Sequence, residues 1–308
     1  MTLTDQQSRQ LRDFFNSSNF AQEGGVITDL DGTAIHESEG IFTVPKEVEM
    51  GLKKIYELGR PIVINTLRFP LSVIRTFGKA WYSISNAPIP TVLMNGSQLG
   101  YIVENADGSL GYDEIIAFPL DKDEIEGVIE QVNELIEGGL DDLLVFYYPR
   151  NWERGELIWT PDEARVDPMK KKYLSATTVY ASGIDELHTH LLSEDICMIF
   201  LLVAIPEDKL MAYQHTRKSN FFTRKGVDKL SGAKEIARIL NFSLKNSVGA
   251  GDTEMDSFLN GVGMAVHVGP NILNYHGEFC TIHVAGSSEL GNLLFELTAM
   301  QKTATQHD

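Results

Sequence analysis

The chain has 308 residues, of which 43% are hydrophobic and 22% charged, and its formal net charge is −17. That length allows about two domains and a sizeable core, while so negative a surface repels phosphodiester backbones and argues against nucleic acid as a partner. The longest apolar runs fall far short of the ~20 residues that cross a bilayer, the polar start MTLTDQQSRQLRDFF lacks the apolar stretch of a signal peptide, and the two cysteines show no Cys-x-x-Cys spacing, so a soluble cytoplasmic protein with no membrane partner and no disulfide framework is expected.

Residues 5–20 predict a short amphipathic helix with Leu11, Phe14 and Phe15 on one face, a helical extension (residues 1–20) outside the main pattern. GGVITDL is the first strand and ends at Asp29 and Leu30. A helix follows over Val44–Leu58, with Val48, Leu52, Ile55 and Tyr56 at helical spacing and Gly59 as its stop. PIVIN is a buried strand, Pro70–Tyr82 a helix, and TVLMN at 91–95 a third buried strand. Strand, helix, strand, helix, strand at this spacing predicts an α/β fold with a doubly wound parallel sheet.

The middle of the chain changes rhythm. YIVEN, DEIIAF, LLVFYY, GELIWT and ICMIFLLVA predict strands, with helices over about Asp121–Glu137 and Ile184–Leu192, and PEDKLMAYQH starts another. An antiparallel or mixed sheet with helices, an α+β unit, is expected there. The first rhythm then returns: a helix over about Val227–Leu240, the strands NSVGAGD, GMAVHVG and TIHVAG, and a last helix over about Glu289–Met300. The expected organisation is one core built from residues 21–97 and 219–300, an insert over residues 98–218, and a polar tail at 301–308.

In a doubly wound sheet, ligands bind beyond the carboxyl ends of the strands, and four segments fall there. VITDLDGT puts Asp29 and Asp31 past the first strand. Of two such carboxylates one can act as nucleophile and metal ligand and the other can shuttle a proton; the pattern also suits a solvated acidic turn. PIVINT puts Thr66, with Arg68 close behind, after the second strand, where the hydroxyl would donate to an anion's oxygen or cap a helix. KGVDK puts Lys229 at a helix start, either as a charge-neutralising cation or as a surface lysine. GAGDTEMD puts Asp252 and Asp256 after a later strand, as hard oxygen ligands that suit Mg²⁺ or as a capped turn. Together these are the parts that phosphoryl transfer needs, because that chemistry is mostly positioning and charge stabilisation. On so acidic a chain, such a site must gather positive charge locally.

The four segments resemble the four motifs of the haloacid dehalogenase superfamily, and in particular its Cof-like sugar-phosphatase branch. The resemblance covers about residues 24–97 and 219–298. VITDLDGT is similar to the first motif, TVLMNGSQLGY to the segment leading into the cap, FFTRKGVDKLSGAKEIARIL to the lysine motif and its helix, and VGAGDTEMDSF to the acidic motif. The resemblance implies a Rossmann-like core with an inserted α+β cap of the C2 type, and a phosphatase for a small phosphate ester. It implies Asp29 as the nucleophile that forms an aspartyl phosphate and Asp31 as general acid and base. Thr66 and Lys229 would hold phosphoryl oxygens, with Arg68 and Asn95 as further substrate contacts. Asp29, the backbone carbonyl of Asp31 and Asp252 would bind Mg²⁺, and Asp256 would support the metal or the lysine. Two positions depart from the family pattern: Leu67 stands where glycine is usual in Thr-Gly-Arg, and Met255 where asparagine is usual before the second acid.

The insert would exclude water and contact the substrate. Within it, YYPRNWERGELIWTP carries Tyr147, Tyr148, Arg150, Trp152, Arg154 and Trp159, which would either read a sugar phosphate or build a sheet face. Lys170, Lys171 and Lys172 would attract a phosphate or form a solvated surface, and His188 and His190 are expected at the surface near a helix end. A sugar phosphate is the leading substrate class. A glycosidic phosphate of the trehalose-, sucrose- or mannosylglycerate-phosphate kind is the rival, and a catalytically silent metabolite-binding protein is the non-enzymatic alternative, motivated by Leu67 and Met255.

Overall fold

The computed structural model describes residues 3–38, 41–140, 142–202 and 221–304. The helix expected to begin at PEDKLMAYQH, and His215, lie outside the described residues. Among those described, no helix is long and apolar enough to cross a membrane.

Among the described residues, fifteen strands form three sheets. In chain order they are β1 (Val26–Thr28), β2 (His36–Ser38), β3 (Ile41–Thr43), β4 (Ile62–Asn65), β5 (Ile89–Leu93), β6 (Gln98–Glu104), β7 (Leu110–Ala117), β8 (Leu144–Pro149), β9 (Glu156–Thr160), β10 (Ala176–Ala181), β11 (Ile196–Leu202), β12 (Phe221–Phe222), β13 (Val248–Gly251), β14 (Met264–Val268) and β15 (Cys280–Val284). The large sheet runs β15-β14-β13-β1-β4-β5-β6-β7, parallel from β15 to β5. Its parallel strands are continuous apolar runs such as VIT and IVIN, buried at every residue because helices cover both faces. The helices Lys46–Glu57 and Ser287–Ala304 pack together on one face, while Lys229–Leu240 covers the other beside Val92 and Ile27. From β1 the chain winds outward through β4 and β5, then returns to β13 on the other side of β1. The order therefore reverses between β1 and β13, the place where doubly wound sheets bind ligands.

Two expected boundaries move. YIVEN and DEIIAF, assigned above to an insert beginning at residue 98, form the antiparallel hairpin β6–β7, which continues the large sheet from β5. A hairpin can extend the edge of a parallel sheet without a crossover helix, so alternation alone does not reveal which sheet it joins. The last helix, Ser287–Ala304, carries helical backbone into the stretch expected as a tail.

The second sheet runs β10-β9-β8-β11-β12, mixed, with only β9 and β10 parallel. Strand alternation divides its side chains. Val145, Tyr147, Leu157 and Trp159 face the helices Lys122–Glu137 and Ile184–Ser193. Leu144, Phe146, Tyr148 and Ile158 face the other way and join Phe69 and Met94 from the loops above the large sheet. The second sheet thus turns one face towards the carboxyl ends of the first.

The N-terminal helix spans Asp5–Ser17 and starts in a capping box formed by Thr4 and Gln7. It buries Leu11 and Phe14, with Phe15 packed against the same core. Gln7 and Gln10 donate to the carbonyls of His283 and Thr281 at 2.9 Å, satisfying the outer edge of β15, which would otherwise offer unpaired groups to another chain.

Candidate active site at the switch between β1 and β13

Asp29 follows β1 directly, held by its backbone N–H to the carbonyl of Ala250 on β13 (2.9 Å). Lys229 opens the helix Lys229–Leu240, whose N-cap Asp228 forms a capping box with Ser231. Its ammonium is 2% exposed and donates to Asp29 Oδ1 (2.8 Å) and Asp256 Oδ1 (2.7 Å). The buried amide of Asn65, at the end of β4, donates to the Lys229 carbonyl (2.9 Å) and fixes the start of that helix. Asp256 is fully buried, and its Oδ2 accepts from the backbone N–H groups of Asp252 and Thr253, both at 3.0 Å. Asp256 therefore clamps the loop after β13 while its other oxygen holds the lysine.

Asp252 sits on that loop beside the loop after β1. Thr33 donates to its Oδ1 (3.0 Å), and a Cβ on Gly32 would lie 2.3 Å from its Oδ2. Gly32 also has φ +74°, so both the backbone and the approaching carboxylate require glycine. Asp29, Asp252 and Asp256 each offer a carboxylate oxygen within 4.8 Å of the others.

The electrostatics follow from this crowding. Burial raises the Asp29 carboxyl well above its ordinary range, with Lys229 opposing and the carboxylates of Asp256, Asp252 and Asp31 adding to the rise. Asp252 is pushed up to about 6 by burial and by Asp256, against the hydrogen bond from Thr33. Burial alone would lower Lys229, but Asp256 and Asp29 hold it above its ordinary value and keep it charged. Three carboxylates balanced by one ammonium form a site that a further cation would stabilise, and all-oxygen donors suit Mg²⁺.

The remaining expected residues divide. The Asp31 carboxylate is gripped by Arg68, Nη2 to Oδ1 at 2.6 Å and Nε to Oδ2 at 2.7 Å. The Arg68 guanidinium also lies over the Phe42 ring, 4.7 Å from its centroid. Burial opposes the charge on Arg68, but its hydrogen bonds to Asp31 hold its pKa up. Thr66 is buried at the end of β4 and its Oγ accepts from the Arg68 N–H (3.3 Å); the helix that follows is capped at Phe69, not at Thr66. Asn95 donates its backbone N–H to the Thr66 carbonyl (3.4 Å). It occupies a left-handed turn with Met94 and lines a separate cavity of about 180 Å³ with Asp228, Glu254, Met255, Ser257, Tyr275 and Phe221.

A larger cavity of about 390 Å³ opens between the sheets, with Asp31, Gly32, Leu67, Arg68 and Asp252 on one side and Tyr148, Glu156, Met198, Phe200 and Phe221 on the other. Of the six large side chains singled out in YYPRNWERGELIWTP, only Tyr148 reaches it. Tyr147 and Trp159 point to the opposite face, Arg150 pairs with Glu114 and Asp195, Arg154 with Glu194, and Trp152 packs against the large core. Lys170, Lys171 and Lys172 are exposed and do not line the cavity. His190 instead accepts or donates at the Tyr180 hydroxyl (3.0 Å), half-buried. Sequence reasoning passed over Thr33, Asn65 and Glu156. The period-2 pattern of ELIWT would have turned Glu156 away from Leu157 and Trp159, but not towards any particular neighbour.

A family model for haloacid dehalogenase-like hydrolases matches residues 26–271. The chain belongs to that family. The match spans both the segments around β1 and β4 and the lysine and acidic segments, so the hydrolase resemblance is borne out. No curated protein matches the sequence significantly. Among solved structures, the chain of this hydrolase is similar to BT1666 from Bacteroides thetaiotaomicron, described among phosphatases of the haloalkanoate superfamily, at 16% identity and a TM-score of 0.60, covering 91% of this chain and 96% of that one. It is similar to the subclass IIB sugar phosphatase BT4131 at 17% identity and a TM-score of 0.60, covering 91% and 99%. It is also similar to TM0651 from Thermotoga maritima at 13% identity and a TM-score of 0.57, covering 89% and 97%. At these identities the likeness establishes the fold: a Rossmann-like parallel core with an α+β unit facing its strand ends.

Proposed function

We propose that this hydrolase is a Mg²⁺-dependent phosphatase, acting in the cytoplasm on a small phosphate ester whose leaving group is a sugar. The observation that carries the reading is Asp29. It is a buried carboxylate at the topological switch, sharing a fixed ammonium with Asp256 and lying beside Asp252, which pairs with no cation among the described residues. The sugar-phosphatase neighbour of the same fold supports the substrate class.

In this reading an Asp29 oxygen attacks phosphorus, the ester oxygen leaves, and water then cleaves the aspartyl phosphate. Asp31 gives a proton to the leaving oxygen and takes one from the attacking water. The Lys229 ammonium and the Thr66 hydroxyl hold the transferring oxygens. Asp29, the Asp31 carbonyl and Asp252 would hold Mg²⁺, which when bound supplies charge neutralisation for the phosphoryl group. Asp256 keeps Lys229 and the Asp252 loop in place. The unit built on β8 to β12 serves as the cap that excludes water over the 390 Å³ cavity. The silent-protein alternative is disfavoured by the intact set of Asp29, Asp31, Lys229 and Asp252, since Leu67 merely lines the cavity and Met255 lies at the other one.

The test is phosphate release from a panel of sugar and glycosidic phosphates, with Mg²⁺ and with EDTA. Release that needs Mg²⁺ supports the reading. No release from any ester, simple aryl phosphates included, would overturn it.

A further inference from the structure

Glu156 opens β9, and its carboxylate is buried against the cavity, across from Asp31 and Asp252. Alternation places it on the same face as Ile158, the face turned to the large sheet. The Tyr148 hydroxyl donates to Oε2 (2.7 Å) and the Ser175 hydroxyl to Oε1 (3.0 Å). An ionised carboxylate has about four acceptor positions, so roughly two remain for a ligand. Among the described residues, no cation pairs with Glu156. Burial accordingly raises its pKa, with both hydroxyls opposing. A buried carboxylate without a counter-ion costs stability, and keeping one at a cavity wall calls for a ligand that donates to it.

The rest of the lining points the same way. Four carboxylates, Asp31, Glu37, Glu156 and Asp252, face the cavity, and the one guanidinium among its described lining residues, Arg68, is committed to Asp31. Beside Glu156 the walls are rings: Tyr148 lies 5.3 Å from Phe69 and Phe200 stacks on Phe221 at 4.5 Å. Such walls suit the carbon faces of a ring whose edge carries donors.

We infer that Glu156, braced by Tyr148 and Ser175, is the specificity determinant for the leaving group, binding its hydroxyl or ammonium donors and excluding phosphate esters that carry a second anionic group. The inference rests on the phosphatase reading and narrows it. Neutral or amino-sugar monophosphates are substrates, whereas bisphosphates and phosphorylated sugar acids are not. The mannosylglycerate-phosphate kind of substrate, which carries a carboxylate, is thereby disfavoured relative to the trehalose- and sucrose-phosphate kinds.

The experiment compares wild type and Glu156→Gln with Mg²⁺ on p-nitrophenyl phosphate, on neutral polyol phosphates such as glucose 6-phosphate and trehalose 6-phosphate, and on an anionic partner, 6-phosphogluconate. Wild type should prefer the neutral esters over the anionic one in kcat/KM by on the order of tenfold or more, because like charges brought together without water repel strongly. Glu156→Gln should raise KM for the neutral esters roughly tenfold, the loss of a charge-assisted hydrogen bond, while kcat and turnover of p-nitrophenyl phosphate stay near wild type. The ratio between neutral and anionic esters should collapse, and since it is measured on one preparation it does not depend on the fraction folded. Turnover of p-nitrophenyl phosphate together with no preference for neutral over anionic esters, no turnover of any neutral polyol phosphate, or an unchanged ratio in the variant would overturn this inference alone. No hydrolysis of any ester would overturn the phosphatase reading and this inference with it.

Discussion

Arg68 holds both oxygens of the Asp31 carboxylate in a two-pronged grip, joining the loop after β4 to the loop after β1. A planar fork of this kind fixes the orientation of a carboxylate as well as its position, which a lysine cannot do. Arg68→Lys should therefore lower kcat on the order of tenfold with little change in KM, short of the roughly hundredfold or greater loss expected for Asp31→Asn. Steady-state kinetics on one ester checks both. The pair is partly exposed, so its loss should change stability by less than about 1 kcal/mol. A full loss of activity in Arg68→Lys, with Asp31→Asn unaffected, would reverse the assignment of roles.

Lys229 is the only bridge among the described ion pairs that joins two carboxylates with no water-exposed partner. Lys229→Met would leave Asp29 and Asp256 buried and uncompensated. Denaturant unfolding should show a loss of roughly 3–5 kcal/mol. A variant as stable as wild type would mean that solvent or a cation already screens this cluster.

Asp29→Asn should remove turnover by roughly four orders of magnitude or more, since an amide is a poor nucleophile. Wild type mixed with labelled ester and quenched quickly should retain label on the chain, and the variant should not. Retained label in the variant would place the covalent bond elsewhere.

Chelation supplies a test independent of turnover. A cation that binds only the folded chain stabilises it by mass action, about 2.7 kcal/mol at a hundredfold excess over its dissociation constant. Mg²⁺ should raise the Tm, EDTA should reverse the rise, and Asp252→Asn should abolish it. An equal Mg²⁺ effect in that variant would remove Asp252 from the cation site.

The buried Glu156 has a pH signature. Its folded pKa lies above its ordinary value of 4.5, so the folded state binds the proton more tightly than the unfolded one. Its favourable contribution is present at low pH and disappears as pH rises through the folded pKa, leaving the ionised group as a net cost near neutrality. Glu156→Gln keeps an acceptor and removes that cost. Thermal melts should show a higher Tm for the variant at neutral pH and a gap that narrows on acidification. A lower Tm at neutral pH would mean that the carboxylate is stabilising where it stands.

Much of this molecule is legible in its sequence because local rules place it. VIT, IVIN and VGAG are short apolar runs ending in polar residues, so Asp29, Thr66 and Asp252 must emerge at the ends of buried strands. The helix spacing after KGVDK puts Lys229 in the first turn. Those relationships span a few residues, and periodicity reports them. Periodicity also says that Glu156 opposes Leu157 and Trp159, and that YIVEN and DEIIAF alternate, but not what their faces meet. Tertiary packing alone decided that β6 and β7 extend the large sheet, that Arg68 is spent on Asp31, that Tyr147, Arg150 and Trp159 point away from the cavity, and that Glu156 points into it. The Lys229 ammonium meets a carboxylate 200 residues away in the chain. No local pattern encodes such a contact; it arises because the sheet winds outward from β1 and returns beside it, bringing both ends of the core to a single edge.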